Sequence, residues 1–122
     1  MPGYVPAQGD LVVLSFDPQT VREQMGRRPG IVVSVDAFNR ITRLAICCPI
    51  TNTKRETPFH VPVPEDCGLT GYVMSEQLKA IDYHARGMRK IGDATQKFLD
   101  EVLSVIDACI FPGPDPGSRG DH

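Results

Sequence analysis

The sequence predicts a mainly β, α+β fold: a small, strongly bent β-barrel with one helix packed at its C-terminal end. Short apolar runs recur between turn-forming Gly, Pro, Asn and Asp clusters, at strand rather than helix length. The hydrophobic period shifts to three and four only near the end of the chain. At 122 residues the chain makes one core, because halves of it would be too small to bury one without staples. Four to six short strands followed by one helix lack the strand-helix alternation of a parallel α/β sheet.

Each element has its own signal. Leu11-Val12-Val13-Leu14-Ser15-Phe16 follows the Gly9-Asp10 turn and is closed by Asp17-Pro18, which predicts strand one. Gln19 to Arg28 is polar, contains Gly26 and buries nothing periodically, so it reads as a long exposed loop of the kind that binds or covers. Gly30 to Val35 is strand two, beginning after Pro29. Asp36 to Arg40 reads as a turn or a single helical turn. Leu44 to Ile50 is nearly continuously apolar, which predicts a central strand covered on both faces. Thr51 to Thr57 is a polar connector, and the prolines of Pro58 to Val63 make that run an edge strand. Gly71 to Ser75 and Leu78 to Tyr83 continue in extended form. Phe98, Leu99, Val102, Leu103, Ile106, Cys109 and Ile110 then mark one face of an amphipathic helix, capped by Asp93 or Thr95 and stopped by Pro112. Residues 1–111 are thus one domain, and 112–122, rich in Pro and Gly, read as a disordered tail.

No apolar run approaches the roughly 20 residues that span a bilayer, and the N-terminus lacks a signal-peptide build; the expectation is a soluble, cytoplasmic protein. The formal net charge is −2, but the basic residues cluster. Between Gln19 and His60 stand Arg22, Arg27, Arg28, Arg40, Arg43, Lys54 and Arg55, against Glu23, Asp36 and Glu56. This suits a polyanion bound at one face, or equally a solvated face of surface arginines.

The four cysteines form no C-x-x-C pair, and His60, His84 and His122 are scattered, so no metal site is expected. Adjacent Cys47 and Cys48 should point to opposite faces of their strand, as inert filling. A Cys48–His60 nucleophile pair and a His60–His84 acid–base pair are chemically able, but the plainer readings are a buried thiol and isolated surface histidines. Phosphate-loop glycine motifs are absent. Arg28 and Thr51 remain: if strands two and three pair antiparallel, the start of one lies beside the end of the other. Arginine can grip a phosphate bidentately and a Thr hydroxyl can bond a phosphoryl oxygen. The rival reading is a surface-bridged arginine and a turn threonine.

An ordered set of motifs bears on that choice: Tyr4-Val5-Pro6, Gly9-Asp10-Leu11-Val12, Phe16-Asp17-Pro18, Glu23-Gln24 with Gly26 and Arg28-Pro29, Pro49-Ile50-Thr51, Pro58-Phe59, and Gln77 with Ala85-Arg86. From about residue 4 to 110 the chain resembles the MazF/PemK family of toxin endoribonucleases. The resemblance implies an SH3-like or CcdB-like barrel, a homodimer, and metal-independent, sequence-selective cleavage of single-stranded RNA (mRNA, tRNA or rRNA) with no cofactor. It implies catalytic roles for Arg28 and Thr51, RNA contacts from Glu23, Gln24, Arg27, Arg55 and Gln77, and inhibition by a MazE-like antitoxin with an acidic disordered segment. The implied chemistry is attack of a ribose 2′-OH on the adjacent phosphate, leaving a 2′,3′-cyclic phosphate and a 5′-OH. Arg55-Glu56-Thr57-Pro58-Phe59-His60 departs from the family's K-G-Y-P-F-E, and Ser75-Glu76-Gln77 from its A-D-Q. These departures imply altered sequence choice or weakened activity. A CcdB-like gyrase inhibitor and a non-catalytic RNA- or protein-binding barrel are the alternatives.

Overall fold

The computed structural model describes residues 3–16 and 27–113. Among these residues the strands are β1 (Asp10–Ser15), β2 (Arg27–Val32), β3 (Leu44–Thr51), β4 (His60–Pro62), β5 (Tyr72–Met74), β6 (Lys79–Asp82) and β7 (Arg89–Asp93). Helix α1 (Asp36–Thr42) joins β2 to β3, helix α2 (Gln96–Ile110) ends the described fold, and 3-10 turns occupy Glu65–Cys67 and Ser75–Gln77. The strands form one antiparallel sheet in the order β4-β5-β3-β2-β1-β7, with β6 also paired to β3.

Strand β3 is the hub. One edge carries β2 (Ile31 opposite Cys48, Val32 opposite Cys47). The other carries β6 along Leu44 to Cys47 and β5 along Ile50 and Thr51. Both faces are buried, as its continuous apolar run requires. Leu11, Ile31 and Cys48, aligned across three strands, point toward Phe98, Leu99 and Val102 of α2. Val12, Leu14, Val32, Ala45 and Cys47 point the other way and meet Phe16, Ile81, Tyr83 and Met88. Strands and the turn after β6 supply nearly all of this second cluster, so the sheet curls over its own face to cover it. Ser15 N–H donates to Arg86 O (3.2 Å) and Met88 N–H to Tyr83 O (3.0 Å), tying that turn to β1. Cys47 and Cys48 therefore face opposite cores, and burial first of all pushes each thiol up to about 12.

Two glycines permit this closeness. A Cβ at Gly30 would meet the Phe16 ring at 2.9 Å and Cys48 O at 3.0 Å. Gly71, at φ +135°, would place one 2.7 Å from Thr51 O, so the chain entering β5 can lie against the end of β3 only as glycine.

Several expectations need correction. Strand two begins at Arg27, not after Pro29, so Arg27 and Arg28 sit on the ladder with β1 rather than in the expected loop; residues 17–26 of that loop lie outside the described residues. Pro29 is tolerated because it lies beyond Gly30–Pro49, the last β2–β3 pair, and β2 is an edge on that side. The turn after strand two is a helix, Asp36–Thr42. Strand β7 is an addition: Arg89-Lys90-Ile91-Gly92-Asp93 is polar, and edge pairing to β1 by backbone bonds leaves no hydrophobic alternation to read. Asp93 belongs to β7, and Thr95 alone caps α2, accepting from Phe98 N–H. Within the tail, residues 114–122 lie outside the described residues.

Candidate active-site rim

Strand β2 places Arg28 opposite Leu14 of β1. On its other side the ladder to β3 ends at Gly30–Pro49; Arg28 and Thr51 each stand two residues beyond that last pair, so they match by register count just past the end of the ladder. Arg28 is exposed and Thr51 half-buried. Among the described residues the Arg28 guanidinium has no hydrogen-bond or ion-pair partner. The Thr51 hydroxyl accepts from Thr53 N–H (3.2 Å), which leaves its own hydrogen available to donate. A fork of guanidinium donors and a hydroxyl donor on one rim suit a phosphodiester's oxygens.

The neighbouring arginines brace this rim. Arg27 donates through Nη2 to Val13 O (3.2 Å) and Gly87 O (2.7 Å). Arg86 donates through Nη1 to Phe16 O (2.9 Å) and Ser15 O (3.3 Å). They clamp the two points where the chain leaves β1 and enters β2, on either side of residues 17–26. Glu23 and Gln24 lie outside the described residues. Arg55 is exposed in the loop after β3, and Gln77 is exposed at the end of the second 3-10 turn, one residue past Glu76.

The structure separates the histidines. His60 is no surface histidine: its side chain is 2% exposed and its Nε2 lies 2.9 Å from Glu76 Oε2. Burial by itself would raise the Glu76 carboxyl, but the His60 hydrogen bond, a backbone hydrogen bond, the His60 charge and Arg55 hold it below its usual value. Among the described residues His60 Nδ1 and Ser75 Oγ are buried without hydrogen-bond partners. Nothing in the pattern of alternate residues signalled this, because β4 is short and His60 faces Met74 across β5. His84 sits elsewhere, beside the Tyr83 ring at 5.5 Å and over Gly3. The Cys48 thiol is buried in the helix-covered core, and with its ionisation pushed so high it is poor nucleophile material.

A second polar knot holds the opposite end of β1. Tyr4 Oη donates to Asp10, Ala7 N–H donates to the same carboxylate (3.0 Å), and Lys90 bridges Asp10 (3.3 Å) and Asp93 (2.8 Å). Its parts are mutually satisfied and structural. A cavity of about 770 Å³ between β4 and α2 is lined by Asp100 and Glu101 with one lysine, an unsuitable wall for phosphate. Among the described residues no group of three or more His, Cys, Asp or Glu side chains is placed to hold a metal ion.

A curled antiparallel sheet with a C-terminal helix on one face defines a small, mainly β member of the α+β class. The family model of PemK-like, MazF-like toxins of type II toxin–antitoxin systems matches residues 7–110, and the chain belongs to that family. It is 35% identical over 107 residues to the endoribonuclease toxin MazF of Escherichia coli K12, covering 88% of this chain and 96% of the relative. It is 36% identical over 108 residues to the endoribonuclease toxin ChpB of the same strain, covering 84% and 92%. The crystal structure of MazE–MazF from Deinococcus radiodurans superposes with a TM-score of 0.79 at 34% identity, covering 88% of this chain and 97% of that one.

Proposed function

We propose that this toxin is a metal-independent, sequence-selective endoribonuclease that cuts single-stranded RNA at the Arg28–Thr51 rim. The observation that supports the reading is the register of β2 and β3: its last pair is Gly30–Pro49, and counting on by two residues brings Arg28, whose guanidinium has no partner among the described residues, level with the hydroxyl of Thr51. Family membership, and endoribonuclease relatives matched along nearly their full length, favour cleavage over gyrase inhibition or passive binding.

In the proposed reaction a ribose 2′-oxygen forms a bond to the adjacent phosphorus as its proton leaves. The P–O5′ bond breaks, and the 5′-oxygen takes up a proton. The products are a 2′,3′-cyclic phosphate and a 5′-OH. Arginine stays protonated at any working pH, so Arg28 serves as the fixed charge that stabilises the pentavalent phosphorane, with Thr51 donating to a second oxygen. Side chains of Glu23, Gln24, Arg27, Arg55 and Gln77 bind unstacked bases and backbone. Arg27 already directs donors to two carbonyls, so its part is to present the strand start as much as to touch RNA.

The working unit is a cytoplasmic homodimer silenced by an antitoxin whose acidic segment orders across the arginine-bearing face. Among the described residues no helix is long and apolar enough to cross a membrane. The test is incubation of purified protein with a long RNA of mixed sequence in EDTA, followed by mapping of the new ends. Discrete cuts with 5′-OH ends support the reading; cutting that requires added divalent ions, or no cutting by folded protein, contradicts it.

A further inference from the structure

One cationic pocket lies outside the rim. Arg40 on α1, Arg43 just past its end, Tyr83 and His84 after β6, and Gly3 and Val5 line a cavity of about 310 Å³. Among the described residues neither arginine has a hydrogen-bonded or ion-paired side chain, so the donors of both are available. The nearby carboxylates are engaged with backbone, Asp36 accepting from Gln8 N–H (3.2 Å) and Asp82 from Ala85 N–H (3.0 Å). Its walls are fixed. Tyr83 Oη donates to Asn39 O (2.7 Å), and Asn39 is itself buried and bonded to Pro6 O. The His84 ring lies so close over Gly3 that a Cβ there would fall 2.7 Å from it. Arg43 takes a left-handed φ of 63°, the helix-ending conformation that glycine adopts most easily, yet an arginine stands there.

The pocket is also one turn away from the rim. Gly87 N–H donates to His84 O (3.2 Å), a turn that keeps its ends within about 7 Å, and Gly87 O accepts from Arg27, the neighbour of Arg28. Backbone bonds thus tie the His84 turn to the side chain that braces the start of β2.

We propose that this pocket is an accessory site for the RNA strand, binding a phosphate on Arg40 and Arg43 and a base against the exposed His84 ring, with buried Tyr83 as the floor, flanking the nucleotides at the cut. Guanidinium groups beside an exposed ring suit nucleic acid, in which phosphates alternate with stackable bases, better than an acidic peptide, which offers carboxylates alone. The inference rests on the endoribonuclease reading above and adds a second anchoring point to it.

The test compares kcat/KM for two RNAs carrying the same cut site, one about five nucleotides long and one of about twenty. The protein is compared with an Arg40→Gln/Arg43→Gly variant, in which glycine suits the left-handed position, and with an Arg40→Lys/Arg43→Lys variant that keeps the charge. The expected result is that the preference for the long RNA falls about tenfold in the first variant, through KM, and recovers partly with lysine. The salt slope of long-RNA binding should fall by about 0.7, the share of the one single-strand phosphate no longer neutralised. An unchanged long-to-short ratio in a folded variant overturns the proposal. So does a variant that loses antitoxin affinity alone, which would assign the pocket to an acidic peptide. If the unaltered protein cuts neither RNA, the endoribonuclease reading fails separately. Fluorescence anisotropy with the twenty-nucleotide RNA then decides the pocket: weaker binding by the first variant upholds it, and equal binding rejects it.

Discussion

The middle of the sheet and its rim treat polar groups in opposite ways. Around Ile31 to Val33 and Ala45 to Ile50 the side chains are buried on both faces, and the two thiols there are held neutral. A few residues away, at the start of β2 and the end of β3, Arg28 has no partner among the described residues while Arg27, its immediate neighbour, is bonded to two carbonyls. The difference teaches which arginine is available to a ligand. A charge already satisfied by the fold is architecture; an unpaired one on a rigid strand has its orientation set and its donors free.

The largest expected effect breaks the rim without touching the middle. Arg28→Ala should lower the cleavage rate by about 10²- to 10³-fold, the usual cost of removing one preorganised transition-state donor, with thermal stability within about 0.5 kcal/mol of the parent. Cleavage rate and melting temperature measured on the same preparation check both halves.

Alkaline titration probes the middle. Cys47 and Cys48 have their ionisation raised in the fold, from 9.0 to about 12, so the unfolded chain loses these protons first. Their contribution to stability is full below pH 9 and is lost as pH rises from there toward 12. Each thiol ionised only in the unfolded state takes away about 1.4 kcal/mol per pH unit. Urea unfolding between about pH 8 and 10.5 should show this slope, and a Cys47→Ala/Cys48→Ala protein should show a flatter one.

Arg27→Ala sharpens the contrast between neighbours. Losing charged hydrogen bonds to Val13 and Gly87 should cost about 1–3 kcal/mol of stability, read as a lowered urea midpoint, where Arg28→Ala costs almost none. The smallest effect belongs to Glu76, whose side chain is 43% exposed. Glu76→Gln should cost no more than about 1 kcal/mol at neutral pH. Because the folded carboxyl titrates below its unfolded value, its contribution is present above that unfolded value and disappears as pH falls through the folded one. The difference between parent and variant should therefore vanish under acid, which an acid-denaturation series would show.

Legibility in the sequence followed burial. The continuous run at β3, the opposed thiols and the three-and-four spacing of α2 were readable because each buried position left an apolar letter at a fixed period. β7 and the true start of β2 were not, since backbone ladders at an edge accept polar residues, Arg27 and Lys90 among them, without any pattern. At the site, the antiparallel pairing of β2 with β3 was legible, while the ladder itself stops at Gly30–Pro49, short of Arg28 and Thr51. The role of Arg27 as a brace was hidden because its partners, Val13 O and Gly87 O, are backbone atoms that any residue supplies. The His60–Glu76 pair was equally hidden, joining positions 16 residues apart on a strand too short to show which side faces inward.

The most direct test of the central claim is single-turnover cleavage of a mapped RNA site in EDTA by the parent protein, Arg28→Ala and Arg28→Lys, with melting temperatures recorded alongside. The account predicts parent-like stability in both variants, loss of cleavage with alanine, and a rate well below the parent's with lysine, which keeps the charge but not the fork. Near-parental cleavage by either variant would contradict the assignment of Arg28 as the group that holds the reacting phosphate.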